Sequence, residues 1–496
     1  MKLLYNVINK QQCYKSVSAF IKDGITIKNP QQISKGFNEY FVNIGYNLSK
    51  SIQSNRSFLS YLEKSNSSSS SLSMFLTDSY EIKNVVANLK NKASSGFDDI
   101  PVTVIRKCIS AITEPLVSLI NCSFRTGRFP DKLKIAKVYP VFKAEAENKF
   151  ENYRPISVLP SFSKNFEKVA YRRLNDYFMA NSVLSDSQYG FRSNHSTFMA
   201  LLEMQDKISK SLDDGNVTAA VFIDLSKAFD TINHDILCKK LEFYGVRGVA
   251  LQWFIDYLNN RKQCVYYNGV SSEFMNIPCG VPQGSVLGPL LFILYVNDIV
   301  NCSKLMNFIL FADDTNLFIS DKSSAELMNI INLELTKLYE WFSSNKLTLN
   351  VKKTSYMIFG RKCKCIDGNF TVKISNNIID RVKYTKFLGV YFDEDLNWKQ
   401  HTAQVSVKIA KSIGIMNRIR NSLSSSLLKI LYFSLIQSHL SYCNIIWGGA
   451  SNLALKKLIL LQKRAIRLIT HSTYLASTSK LFKDSKILKL EDIYKL

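Results

Sequence analysis

Apolar and polar positions change rhythm several times along the chain. From about residue 133 to 393, short β-branched or aromatic runs alternate with longer stretches of helical spacing. The runs at 135–142, 219–223, 308–312 and 355–359 predict strands, and the stretches at 162–179, 198–213 and 325–345 predict helices. That mixture predicts an α+β fold, a small sheet backed by helices. Beyond Trp398 the pattern is helical throughout. The clearest case is 453–469, where Lys456, Lys463 and Arg467 share one face and Leu455, Ile459, Ile466 and Ile469 fill the other. Residues 1–60 read as helical and polar. A serine-rich stretch at 65–71 predicts a linker, because it cannot bury enough apolar surface to order itself. A helix over 79–91 leads into a turn-rich loop at 92–99, stopped by Pro101.

A chain of 496 residues exceeds one typical core and predicts two or three domains. The sign of its charge says more. Its 64 Lys and Arg against 40 Asp and Glu leave +24, which points to a polyanionic partner, since neutralising phosphates releases condensed counterions. The excess is uneven: residues 396–496 carry 16 Lys and Arg against 3 Asp and Glu. The basic face of 453–469 is then either a nucleic-acid contact or an ordinary solvated helix surface.

Ten cysteines are scattered singly, apart from Cys363 and Cys365, which have no second pair at zinc spacing. A reducing compartment with idle thiols follows. The five histidines are isolated and read as structural. No apolar leader opens the chain. The longest apolar run, 286–296, falls far short of the ~20 residues that cross a bilayer. These features predict an intracellular soluble protein of cytoplasm or nucleus, with no membrane partner.

Two segments carry chemistry. In Ala220-Val-Phe-Ile-Asp224-Leu-Ser-Lys-Ala-Phe229-Asp230 an apolar run ends in a carboxylate. In Phe308-Ile-Leu-Phe311-Ala-Asp313-Asp314-Thr-Asn-Leu-Phe318 apolar residues flank two adjacent aspartates, predicting a hairpin with the acids at its tip. A single strand-end Asp is usually a turn or cap. A pair set between apolar strands is costly without a partner, and a divalent cation is a fitting one. Phosphoryl transfer needs attacking and leaving oxygens held in line and their charge stabilised, which two metals roughly 3.5–4 Å apart do. Alone, this chemistry fits polymerases, nucleases and phosphatases.

The ordered set of segments resembles the reverse transcriptases of non-LTR (LINE-type) retrotransposons, jockey-type in particular. Asn152-Tyr-Arg154-Pro155 and Gln188-Tyr-Gly190-Phe191-Arg192 resemble the two fingers motifs. The segment around Asp224 resembles the first palm motif, and Gly280-Val-Pro-Gln283-Gly284-Ser285 the second. Phe311-Ala-Asp313-Asp314 resembles the third; RNA-dependent RNA polymerases more usually carry Gly before the pair. Leu349-Asn-Val-Lys352-Lys353-Thr354 resembles the fourth, and Phe387-Leu388-Gly389-Val390 the fifth, which lies near the primer. Several motifs in family order are specific where one would be weak.

The resemblance implies a right-hand polymerase. Fingers would span 79–215 and the palm 216–393, with the reverse transcriptase domain at about 124–393. A basic thumb-like helical region would span 394–496, after an N-terminal extension over 1–78. It implies that Asp224, Asp313 and Asp314 form the catalytic metal site for two Mg²⁺, or Mn²⁺. Phe229 would exclude a 2′-hydroxyl; its alternative is a plain core aromatic. Gln283 and Gly284 would pack against the nucleotide, though a structural turn is also consistent. Arg192 and Arg154, with Lys143, would face the triphosphate, as would Lys352 or Lys353. Phe387, Leu388 and Gly389 would lie near the primer, and Lys456, Lys463 and Arg467 near nucleic acid. Implied partners are an RNA template, a DNA primer, their hybrid and deoxynucleoside triphosphates. Fewer than about 80 residues precede the first polymerase-like segment, too few for the endonuclease of full-length elements, so that activity is expected from elsewhere. The alternative is a truncated, catalytically dead remnant that only binds nucleic acid.

Overall fold

In a computed structural model the chain is described at residues 17, 19–22, 24–65, 69–92, 94–143, 145–360 and 371–496. Cys363, Cys365, the opening 16 residues and the middle of the serine-rich stretch lie outside them. The architecture mixes helix and sheet, and its centre is a five-stranded sheet. Its strands are β1 (Val217–Ile223), β2 (Asn307–Phe311), β3 (Asp314–Asp321), β4 (Ser355–Phe359) and β5 (Asp380–Arg381), in the spatial order β5-β4-β1-β3-β2. β4 and β5 run parallel; the other pairs are antiparallel.

β1 is buried along its whole length, so both faces of the sheet are covered. Alternation divides the apolar residues between two cores. Val217, Ala219, Val221 and Ile223 join Leu310, Leu317 and Ile358 in a core with the helices Ser161–Ala180, Gly288–Tyr295 and Ser324–Ser344. Ala220 and Phe222 join Ile309, Phe318 and Met357 in a second core with the helices Thr197–Asp213, Lys399–Ile419 and Asn452–Ile469. The C-terminal helices therefore cover one face of the sheet that carries the acids.

A second five-stranded sheet joins Ile135–Phe142, Tyr153–Val158, Lys262–Tyr267, Val270–Ser271 and Met275–Asn276. Lys262–Tyr267 pairs in parallel with the start of Ile135–Phe142, so a segment beyond the boundary at 216 completes the sheet begun before it. The N-terminal part also departs from the expected polar helix. It contains a two-stranded ribbon, Phe20–Lys22 with Ile25–Ile27, and the helix Pro30–Lys50. Phe20, Phe37 and Phe41 are buried with Tyr153 from the second sheet and Phe150 from the turn of helix that precedes it. The Phe37 ring meets those of Phe20, Phe150 and Tyr153 with centroids 5.0, 4.8 and 5.0 Å apart. Ser70, within the expected linker, accepts from the Tyr177 hydroxyl at 2.9 Å through its carbonyl.

Among the described residues no helix is long and apolar enough to cross a membrane. The seven described cysteines are free.

Phe37 is fully buried in this aromatic cluster. Phe37→Ala is expected to cost about 3–5 kcal/mol, read by denaturant unfolding. A loss under about 1 kcal/mol would show that the N-terminal helix lies outside the cooperative unit.

Candidate active site

Ile223 pairs with Thr315 across β1 and β3, so Asp224 and Asp314, the next residues along, reach the same end of the sheet. Asp313 sits in the two-residue turn between β2 and β3, since Phe311 pairs with Asp314. The three carboxylates repel one another. Burial and then the charges of Asp313 and Asp224 push the Asp314 carboxyl up to about 6. Burial raises Asp313 as well, with Asp224 adding to it and Arg154 and Lys143 opposing. Both side chains keep solvent-exposed surface.

Among the described residues no lysine or arginine forms an ion pair with any of the three. Nor do three or more described acidic, histidine or cysteine side chains converge closely enough to hold a metal ion by themselves. Mg²⁺ does not need such a cluster: it is commonly held by one or two carboxylates, with waters and substrate phosphates completing its octahedron. Two opposed carboxylates with a third beside them are hard oxygen donors on an open edge, and they fit such an ion.

Asp224 is fixed by the segment that leads into β4. The Asn350 side chain donates to its Oδ2 at 2.8 Å, and the Asn350 amide donates to its carbonyl at 2.9 Å. Its own amide donates to the Thr354 hydroxyl at 3.4 Å. Lys352 and Lys353 lie between those two residues. Lys353 is the one beside Lys143, whose ammonium is lowered by burial, then by the charges of Lys353 and Arg154, while Asp224 opposes. Lys143, Arg154 and Lys353 thus form a cationic group next to the acids.

The Asp313 turn is held from outside. Ala312 adopts φ 58°, a left-handed conformation costing roughly 1–2 kcal/mol for a residue with a Cβ. Its amide donates to Gln188 Oε1 at 3.1 Å, and the same oxygen accepts from the Gly190 amide at 2.8 Å. Gly190 lies so close that a Cβ there would collide with the Ala312 nitrogen. Arg192 is committed to the same loop: its guanidinium donates to the carbonyls of Ser185 at 2.7 Å and Gln188 at 3.3 Å. Only 9% of its side chain is exposed. The arginine expected at a triphosphate shapes the loop beneath the acids instead.

Phe229 is half-buried and stacks on Phe292, centroids 4.6 Å apart. Gln283 donates its Nε2 to Asp230 Oδ1 at 2.8 Å. Gly284, at φ 136°, faces the Ser157 carbonyl, where a Cβ would clash. Its lack of a side chain is used here against the second sheet.

Farther from the acids, Phe387 ends the strand Tyr384–Phe387, and Leu388 (φ 43°) and Gly389 (φ 89°) form the turn into Val390–Asp393. This is the turn geometry that matches strand twist in two-residue hairpins. The Tyr442 hydroxyl donates to the Leu388 carbonyl at 2.6 Å, docking the turn on the C-terminal helices. On the helix Asn452–Ile469, Lys456 is exposed and Lys463 half-buried at a cavity it lines with Lys489 and Glu491. Arg467 donates to the Ala476 carbonyl at 2.9 Å and lies over the Tyr474 ring, so it packs a loop.

Sequence reasoning overlooked Asn350, Gln188 and Asp230 as parts of the site. All three sit inside the motif segments; their polar side chains were the available signal.

The model of the family "Reverse transcriptase (RNA-dependent DNA polymerase)" matches residues 143–392. The chain is 28% identical over 430 residues to the probable RNA-directed DNA polymerase from transposon BS of Drosophila melanogaster, covering 83% of this chain and 46% of that protein. It is 26% identical over 427 residues to the probable RNA-directed DNA polymerase from transposon X-element, and 25% over 426 residues to the RNA-directed DNA polymerase from mobile element jockey, both of the same organism and at the same coverage. The chain thus spans about half the length of the relatives it matches. With a family model covering half of the chain and both acid-bearing segments inside it, the chain belongs to the reverse transcriptase (RNA-dependent DNA polymerase) family.

Proposed function

We propose that this chain is the polymerase portion of a jockey-type non-LTR retrotransposon protein. It would extend a DNA primer along an RNA template, using deoxynucleoside triphosphates and releasing pyrophosphate. The observation that carries the reading is the gathering of Asp224, Asp313 and Asp314 at one end of the central sheet, mutually repelling and, among the described residues, free of ion pairs to lysine or arginine.

The architecture supports a right-hand division. The first sheet is the palm, the second sheet with its helices the fingers, and the C-terminal helices after 394 the thumb-like region. Asp224 and Asp313 would hold two Mg²⁺ ions, or Mn²⁺, with Asp314 in support. Bound there, the ions supply charge stabilisation at the attacking and leaving oxygens. Lys143, Arg154 and Lys353 would receive the triphosphate, Lys353 taking that role in preference to Lys352. Phe229, backed by Phe292, would meet the sugar and Gln283 and Gly284 the nucleotide's other side. Arg192 would act through the loop it shapes. Phe387, Leu388 and Gly389 would lie along the primer, and Lys456 and Lys463 would meet the hybrid backbone. Nicking of target DNA and the identity of the copied RNA belong to the whole element.

Primer extension on a heteropolymeric RNA template, with a DNA primer, deoxynucleotides and Mg²⁺, tests the reading. Asp313→Asn is expected to abolish incorporation while template affinity changes less than about threefold, because the lost charge acts on the transition state. Absence of incorporation by the folded wild type, with Mn²⁺ also tried, would leave a nucleic-acid-binding remnant. Phe229→Ala is expected to raise ribonucleotide use relative to deoxynucleotide; an unchanged ratio would make Phe229 a core aromatic only.

Proton and metal should compete at the acids. The Asp314 carboxyl stands at about 6 against an ordinary 3.8. Between those values the folded protein keeps a proton that the unfolded chain has lost, so this group favours folding at low pH and ceases to as pH rises through about 6. Mg²⁺ needs the deprotonated form and reverses that trend. Thermal melts should show a Mg²⁺-dependent rise in Tm near neutrality that shrinks as pH falls through about 6. Asp314→Asn should raise the metal-free Tm near neutrality and reduce the Mg²⁺ gain. The same Mg²⁺ gain in both proteins at both pH values would remove Asp314 from the site.

A further inference from the structure

Asp230, six residues past Asp224, is a fourth carboxylate, bonded away from the three acids. Its Oδ1 accepts from Gln283 Nε2 at 2.8 Å. Its Oδ2 is buried with no hydrogen-bond partner. Burial pushes its carboxyl up to about 6, against the hydrogen bond from Gln283 and the charge of Lys227. A carboxylate buried with only one of its oxygens bonded is costly.

The backbone around it is tied just as closely. Phe229's carbonyl accepts from the Val281 amide at 2.9 Å, and Ile232's from the Gly280 amide at 2.8 Å. The Cys279 thiol lies 3.4 Å from the Asp230 carbonyl. Gly280 and Gly45 both back onto that carbonyl so tightly that neither position has room for a Cβ. Gly45 belongs to the helix Pro30–Lys50, and Tyr40 of the same helix carries Lys227 over its ring at 5.4 Å. The N-terminal helix, the turn after Asp224 and the 280–284 loop therefore meet at one residue.

A free glutamine amide can turn over and exchange its donor and acceptor ends. Holding Nε2 on a carboxylate, which can only accept, forbids that exchange and leaves Oε1 as the end presented elsewhere. Among the described residues Gln283 Oε1 has no hydrogen-bond partner of its own.

We propose that Asp230 is a positioning residue that fixes the orientation of the Gln283 amide and so sets affinity for the incoming nucleotide. The inference rests on the polymerase reading and deepens it. It assigns Asp230 no contact with the nucleotide.

The test is steady-state single-nucleotide incorporation by wild type, Asp230→Asn, Asp230→Leu, Gln283→Ala and the Leu/Ala double variant, with Tm recorded for each. Loss of a hydrogen bond to a charged group should raise the KM for deoxynucleotide about tenfold in Asp230→Leu, with kcat within about threefold. Asp230→Asn can accept from Gln283 Nε2 or donate to its Oε1, so it no longer forbids the exchange, and its KM should lie between those of wild type and Asp230→Leu. In the Gln283→Ala background, Asp230→Leu should change KM no further, because the amide it positions is gone. Asp230→Ser replaces Asp230→Leu in the cycle if the latter does not fold.

A KM rise in Asp230→Leu that is as large without Gln283 as with it would overturn the proposal, as would a KM unchanged from wild type. A fall in kcat and Tm with KM unmoved would make Asp230 purely structural and also overturn it. A wild type that incorporates nothing fails the polymerase reading itself, a result distinct from either.

Discussion

Three carboxylates gathered at one end of a sheet push each other apart, and the surrounding structure is arranged to resist that push. The repulsion is visible in the raised carboxyls of Asp313 and Asp314. β1 and β3 cannot separate to relieve it. They share seven paired residues, and β1 is also paired to β4 on its other side. Apolar cores on both faces hold the strands flat against their helices. A sheet covered on one face only could twist or fray at that edge; this one has nowhere to move.

Local strain collects where the motifs turn. Ala312, Lys227 and Leu388 each adopt a left-handed backbone without being glycine. Each is over-determined by a bond from a distant segment. Gln188 holds the Ala312 amide, the Tyr153 carbonyl accepts from Lys227 Nζ at 3.3 Å, and Tyr442 holds the Leu388 carbonyl. Unfavourable conformations persist only under such constraint, and they concentrate where a protein must present groups in fixed directions.

Much of this was legible in the chain. The four runs of alternating or apolar residues became strands within two residues of their expected ends, because period-2 burial is a local property. The acids stood out because adjacent carboxylates between apolar runs are costly unless a cation meets them. What was hidden is long-range. Nothing near Lys262 signals that its strand will pair in parallel with Ile135, across more than a hundred residues. The aromatic content of Phe20, Phe37 and Phe41 was scattered among polar residues, so the segment read as a polar helix, although it packs on Phe150 and Tyr153. Arg192 was expected to reach outward because arginines bind phosphate well, yet two carbonyls nearby claim it. That Lys353 lies beside Lys143 is likewise a long-range fact that sequence spacing does not supply.

The same distinction bears on how net charge is read. A surplus of +24 suggests a polyanion, but many of the cations behind it are engaged inside the fold. Lys240 is fully buried with Asp298 at 2.6 Å, Arg173 closes on Glu81, and Arg467 packs the loop after its helix. None of these can meet a phosphate without leaving its partners. The cations that remain beside the acids behave differently. Lys143 is held below the ordinary lysine value by burial and by its own cationic neighbours, and among the described residues no carboxylate forms an ion pair with it. Acids that repel acids and cations that repel cations, close by yet unpaired, make an arrangement that a metal and a polyphosphate would relieve together. Charge left uncompensated at a defined place is a stronger argument for a ligand than the sum over the chain.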